Sequence, residues 1–72
     1  MNKEQMKEKF SKLSKQAQNC LRELYNRANP ASIKMAFSMQ VGIRDEMAEF
    51  FGTQDDDELA IKCSTYWSVY GN

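Results

Sequence analysis

Residues 39–47 read MQVGIRDEM, and the assignment of this stretch decides the fold. Leading into it, Ile33, Met35, Phe37, Met39, Val41 and Ile43 alternate with the period of two that a β-strand imposes. Leaving it, Ile43, Met47, Phe50 and Phe51 recur with helical spacing. The alternating run also contains i, i+4 pairs, Ile33 with Phe37 and Met35 with Met39, and it is long for a strand. Its Met, Ala, Lys and Gln residues are helix formers, whereas only Ile33, Phe37, Val41 and Ile43 favour strands. The balance favours a buried helix broken near Gly42, where a glycine weakens a helix and admits a close neighbour. A strand over 33–43 stays open as the alternative.

On the N-terminal side, Met6, Phe10, Leu13, Ala17, Cys20, Leu24 and Ala28 recur at alternating steps of four and three, and Leu21 and Tyr25 widen the stripe. This spacing predicts one long amphipathic helix over 6–28. Its near-heptad seam can pack on the rest of the chain or form a homodimer. Asn29 suits the N-cap of a second helix and Pro30 its first position, where the missing N–H would be unpaired anyway.

On the C-terminal side, Gly52 suits a helix end. Asp55 and Glu58 have the spacing of a capping box, and Asp56 and Asp57 place negative charge at the positive end of a helix dipole. Leu59, Cys63, Tyr66, Trp67 and Tyr70 share a helical face. The segment also alternates over 59–69, so an α+β fold with strands near 33–43 and 59–69 competes with the favoured all-α one. The favoured fold is a single small domain, 1–72, with a long N-terminal helix and two shorter ones.

A chain of 72 residues is near the lower limit for a self-sufficient core. Its zero net charge conceals an uneven distribution. Through Ala28, the cations Lys3, Lys7, Lys9, Lys12, Lys15, Arg22 and Arg27 face only Glu4, Glu8 and Glu23, a net +4. From Asn29 onward, Lys34, Arg44 and Lys62 face Asp45, Glu46, Glu49, Asp55, Asp56, Asp57 and Glu58, a net −4. One half can approach a polyanion that the other repels. No stretch is apolar enough to cross a bilayer, MNKEQMKEKF lacks the apolar core of a signal peptide, and two cysteines far apart make neither a disulfide framework nor a zinc site. These features predict a reduced cytoplasmic setting, with Cys20 and Cys63 as small core residues.

Chemistry is sparse. The chain has no histidine, so neither cysteine has an imidazole to activate it, and its isolated glycines form no phosphate-cradling loop. The acidic run 55–58 lacks the alternating carboxylates of a calcium loop. The expectation is therefore a non-catalytic protein that needs no metal or cofactor. Tyr66, Trp67 and Tyr70, with Lys62 a turn earlier, are the residue types that stack on bases and hold phosphate, although aromatics at these spacings also fill cores.

Three segments together resemble the FinO/ProQ domain, a family of bacterial RNA-binding proteins and RNA chaperones. CLRELYNRANPASI, residues 20–33, is similar to the family's early helix and turn. MQVGIRDEM is similar to its hallmark, an apolar pair flanking one residue, then Gly-Ile and a polar triplet. ELAIKCSTYWSVYGN, residues 58–72, is similar to its aromatic-ending helix. The resemblance covers roughly residues 20–72 and implies helices rather than strands. It also implies structured RNA as the partner, contacted by Lys34, Arg44, Lys62, Tyr66, Trp67 and Tyr70. Size, zero net charge and polarised halves equally suit a phage- or plasmid-type accessory protein that binds and modulates a host protein.

Overall fold

Gly52 closes its helix with φ 73°, a left-handed conformation that glycine adopts without steric cost. Three residues on, the Asp55 carboxylate accepts hydrogen bonds from the Asp57 and Glu58 amides at 2.9 and 3.1 Å and starts the next helix. The Asp55 amide itself donates to Thr53 Oγ1 at 3.2 Å, so the expected box with Glu58 is formed on its capping side by Asp55. Upstream, Asn29 accepts from the Ala31 amide at 2.8 Å and Pro30 occupies the first helical turn. These local signals punctuate a computed structural model that describes residues 2–71 and is all-α. Helices α1 (Lys3–Ser11), α2 (Lys15–Asn19), α3 (Pro30–Met39), α4 (Val41–Phe51) and α5 (Asp56–Tyr70) are joined by a π-helical turn, Cys20–Leu24, that continues α2. No strand occurs among the described residues, so the α+β alternative is excluded there.

The alternating residues show why. A strand would put all six on one face, but Ile33, Phe37 and Ile43 are buried while Met35, Met39 and Val41 are 68, 80 and 60% exposed. Helical period separates them. The helix does break, but at Gln40 (φ −132°, ψ 73°) rather than at Gly42, which lies inside α4. A continuous helix from Ile33 and Phe37 would carry its stripe to residues 40, 41 and 44. The break rotates the chain so that Ile43, Met47 and Phe50 face inward instead. The expected close approach at Gly42 is absent: a Cβ there would meet nothing within 4 Å. Along 59–69 the alternation fails in the same way, with Ile61 and Val69 exposed beside buried Leu59, Cys63 and Tyr66.

The single long helix over 6–28 is not formed. Ser14 accepts from the Ala17 amide at 3.1 Å and begins a new helix, leaving a corner at residues 12–14. Glu46 of α4 fixes that corner by accepting from the Ser14 amide at 3.1 Å and its hydroxyl at 2.9 Å. At the other end, the Tyr25 amide reaches back five residues to the Cys20 carbonyl at 2.7 Å. The wider turn brings Tyr25 into the core with Cys20 and Leu21 and leaves Leu24 59% exposed. Arg27 then takes a left-handed conformation, φ 61°, and its amide donates to the Ser64 carbonyl of α5 at 3.0 Å. Met6, Ala17 and Cys20 of the expected seam are buried within the chain.

The core gathers Leu21, Tyr25, Ile33, Met47, Leu59 and Cys63, with α3 and α5 in extensive contact and the Tyr25 ring edge-on to Phe37 at 5.7 Å. α1 lies over the C-terminal half of α5, where Phe10 packs on Tyr66 and Trp67 at 5.9 and 5.8 Å. Lys9 Nζ donates to the Phe50 carbonyl at 2.7 Å, satisfying the open end of α4 with a cation where the helix dipole is negative. Among the described residues, no helix is long and apolar enough to cross a membrane.

Candidate nucleic-acid interface

The fold disperses the six sequence-derived contacts. Lys34 and Arg44 go to the start of α5, where they neutralise its acidic first turn. Lys34 donates to Asp57, and this bond holds its ammonium above the usual range. Arg44 is more completely committed. Its Nε donates to Asp56 Oδ1 at 2.9 Å, Nη1 to Gln54 Oε1 at 2.9 Å, and Nη2 to the Gln54 carbonyl at 2.8 Å. Nη1 also lies 3.3 Å from Asp45 Oδ1, and the side chain is only 19% exposed. Both cations are thus already paired within the fold, Lys34 with Asp57 and Arg44 with Asp56 and Asp45.

Tyr66 is likewise internal, 2% exposed. It is the hub of an aromatic cluster, with the rings of Phe10, Phe50, Phe51, Trp67 and Tyr70 centred 5.3 to 5.9 Å away. Burial, reinforced by Tyr70, raises its hydroxyl above the ordinary tyrosine value. Tyr66 therefore supports a surface without forming it. Trp67 and Tyr70 flank it half-buried, and Lys62 is exposed with no carboxylate in ion-pair reach among the described residues.

Sequence reasoning overlooked Arg22. Its guanidinium carbon lies 5.5 Å from the Phe10 ring centre and 5.8 Å from that of Trp67, forming a cation–π stack across three separate segments. No sequence spacing signals this stack, because the corner at 12–14 and the π turn jointly create it. Separately, α4 and α5, with Met6 of α1, enclose a cleft of about 300 Å³ lined by Phe51, Tyr66, Tyr70 and Val69, with Lys62 and Thr65.

Charge is partly reconciled elsewhere. Lys9 of α1 and Lys12 of the corner line a second cleft of about 280 Å³ together with Glu46 and Glu49 of α4. Opposite halves of the sequence thus meet there and compensate. Among the described residues, Lys7, Lys15, Arg22, Arg27 and Lys62 are cations without a carboxylate partner. The cysteines are buried free thiols: burial pushes Cys63 up to about 12 and raises Cys20, so both stay protonated near neutrality. No three-ligand cluster of the metal-binding kind occurs among the described residues.

No protein-family model, curated protein or solved structure matches the chain. The FinO/ProQ likeness therefore stands on its three sequence segments.

Proposed function

We propose that this protein is a small, non-catalytic, FinO/ProQ-like RNA-binding module that holds structured RNA by phosphate contacts and by stacking on unpaired bases. The observation that carries this reading is the Arg22 guanidinium stacked over Phe10 and Trp67, rings that Tyr66 joins to Tyr70 and to a cleft lined by Lys62. Stacked arginine and half-exposed aromatics suit splayed bases, and unpaired lysines suit the backbone. Lys34 and Arg44 act within the fold, and Tyr66 underlies the surface.

Trp67 is the only tryptophan, so its fluorescence reports on this surface directly. Titration with an RNA hairpin carrying an unpaired loop should quench it. With about four phosphate contacts, affinity should fall roughly 50- to 150-fold between 50 and 200 mM salt. Unchanged fluorescence, together with no binding at micromolar protein in low salt, refutes the proposal. A second reading, a phage- or plasmid-type accessory factor docking on a host protein, is favoured by Met35, Met39 and Val41, which leave an apolar corner where α3 meets α4. Capture of one protein from nuclease-treated lysate, lost on Met39→Asp, would support that reading.

A further inference from the structure

The cleft between α4 and α5, closed by Met6 of α1, has properties that neither the stack at Arg22 nor the aromatic core requires. Its volume of about 300 Å³ is at the small end of the range for ligand sites. Phe51 and Tyr70 supply aromatic walls over the nearly buried Tyr66, and Thr65 and Lys62 add hydroxyl and ammonium groups. The Thr65 hydroxyl already donates to the Ile61 carbonyl at 2.9 Å, so its oxygen can still accept a bond. No carboxylate lines the cleft, and Lys62 has none in ion-pair reach among the described residues. A cationic ligand would find no counter-charge and would meet Lys62. An aliphatic chain would leave the ammonium unused. An occupant that is flat, aromatic and anionic satisfies both the walls and the charge.

We infer that this cleft receives one unpaired nucleotide of the bound RNA, with its base against the Phe51 and Tyr70 rings and its phosphate on Lys62. The inference rests on the RNA-binding reading above and adds a position to it. Beyond the general attraction of the unpaired cations, the cleft makes the protein sensitive to whether a base is present at one place in the loop. RNA duplex has no base to offer it, so the site selects unpaired over paired nucleotides.

The test compares the wild-type protein with Thr65→Trp, whose indole fills the cleft from an exposed position, and with Lys62→Glu. Each is titrated with the intact hairpin and with hairpins carrying an abasic residue at one loop position at a time; circular dichroism verifies that each variant is folded. One abasic position should weaken wild-type binding by about tenfold. Thr65→Trp should bind the intact hairpin about tenfold more weakly and be indifferent to that abasic position. Lys62→Glu should weaken binding more at low salt than at high salt. If Thr65→Trp binds the intact hairpin as tightly as wild type, or no abasic position matters, the cleft is not a nucleotide site while RNA binding itself stands. If wild type binds no hairpin at all, the RNA reading and this inference fail together. If Thr65→Trp fails to fold, Lys62→Glu with the abasic series decides alone, equal salt dependence to wild type counting against the cleft.

Discussion

Replacing Tyr25 by Phe should make the protein more stable, contrary to the usual effect of changing a core residue. The Tyr25 ring is 1% exposed and packs edge-on against Phe37 at 5.7 Å. Its hydroxyl is fully buried with no nitrogen or oxygen partner, and only the Cys20 thiol is placed to bond it weakly. The surroundings include the Cys20 and Cys63 thiols, weak hydrogen-bonding groups that leave the desolvation of the hydroxyl largely uncompensated. Burying an unpaired polar group costs about 1–3 kcal/mol, and phenylalanine keeps the ring and its packing while removing that cost. Taking the low end, because a thiol returns part of the cost, Tyr25→Phe should gain about 1 kcal/mol. For a domain of this size that corresponds to a rise in Tm of roughly 4–8 °C. Urea and thermal unfolding followed by far-ultraviolet circular dichroism measure both quantities. A loss of 1 kcal/mol or more would show that the hydroxyl is well bonded and would refute the reasoning.

Three further outcomes are expected. Gly42→Ala should stabilise the protein by up to about 1 kcal/mol, because a helical glycine is replaced where the added Cβ meets nothing within 4 Å; a lowered urea midpoint would contradict the open space there. Asp55→Ala should cost about 0.5–2 kcal/mol by leaving the Asp57 and Glu58 amides uncapped, measurable in the same assay, and no change would remove the cap's role in starting α5. Stability should fall as pH rises from about 9 towards 12, because burial moves the Cys63 thiol from 9.0 to about 12 and the unfolded chain releases this proton first. The shifts at Cys20, Tyr25 and Tyr66 have the same sign. A Cys63→Ala variant should lose part of that alkaline slope, and an identical slope would place its origin elsewhere.

What the sequence disclosed, and what it concealed, follows the range of each interaction. The caps at Asn29, Gly52 and Asp55 act within four residues of themselves, so their chemistry is visible in the string. The alternation of Met35, Met39 and Val41 with buried residues misleads, because their exposure results from how α3 and α4 dock and from the break at Gln40. The corner at 12–14 had one local sign, Ser14, whose partner Glu46 is thirty-two residues away. The π turn had none: a single extra residue per turn leaves the apolar spacing nearly helical while exchanging Leu24 for Tyr25 at the core. At the candidate site, residue types identified Trp67, Tyr70 and Lys62 as chemically able. They could not separate these from Lys34 and Arg44, whose partners Asp57 and Asp56 are twenty-three and twelve residues distant. Arg22 was illegible for the same reason.

The corner at residues 12–14 also determines where the molecule opens first. Glu46 anchors Ser14, so whatever happens to α1 need not propagate into α2. α1 is held chiefly by Met6, Phe10 and the bond from Lys9 to the Phe50 carbonyl. Its release breaks few contacts compared with separating α3 from α5. Amide exchange should therefore run fast through Lys3–Ser11 while α3 and α5 exchange only on global unfolding, giving the chain two protection tiers. The open form uncovers Phe50, Tyr66 and Trp67 together. Concentrated solutions would then be limited by the adhesion of this bared aromatic floor well before the core itself unfolds.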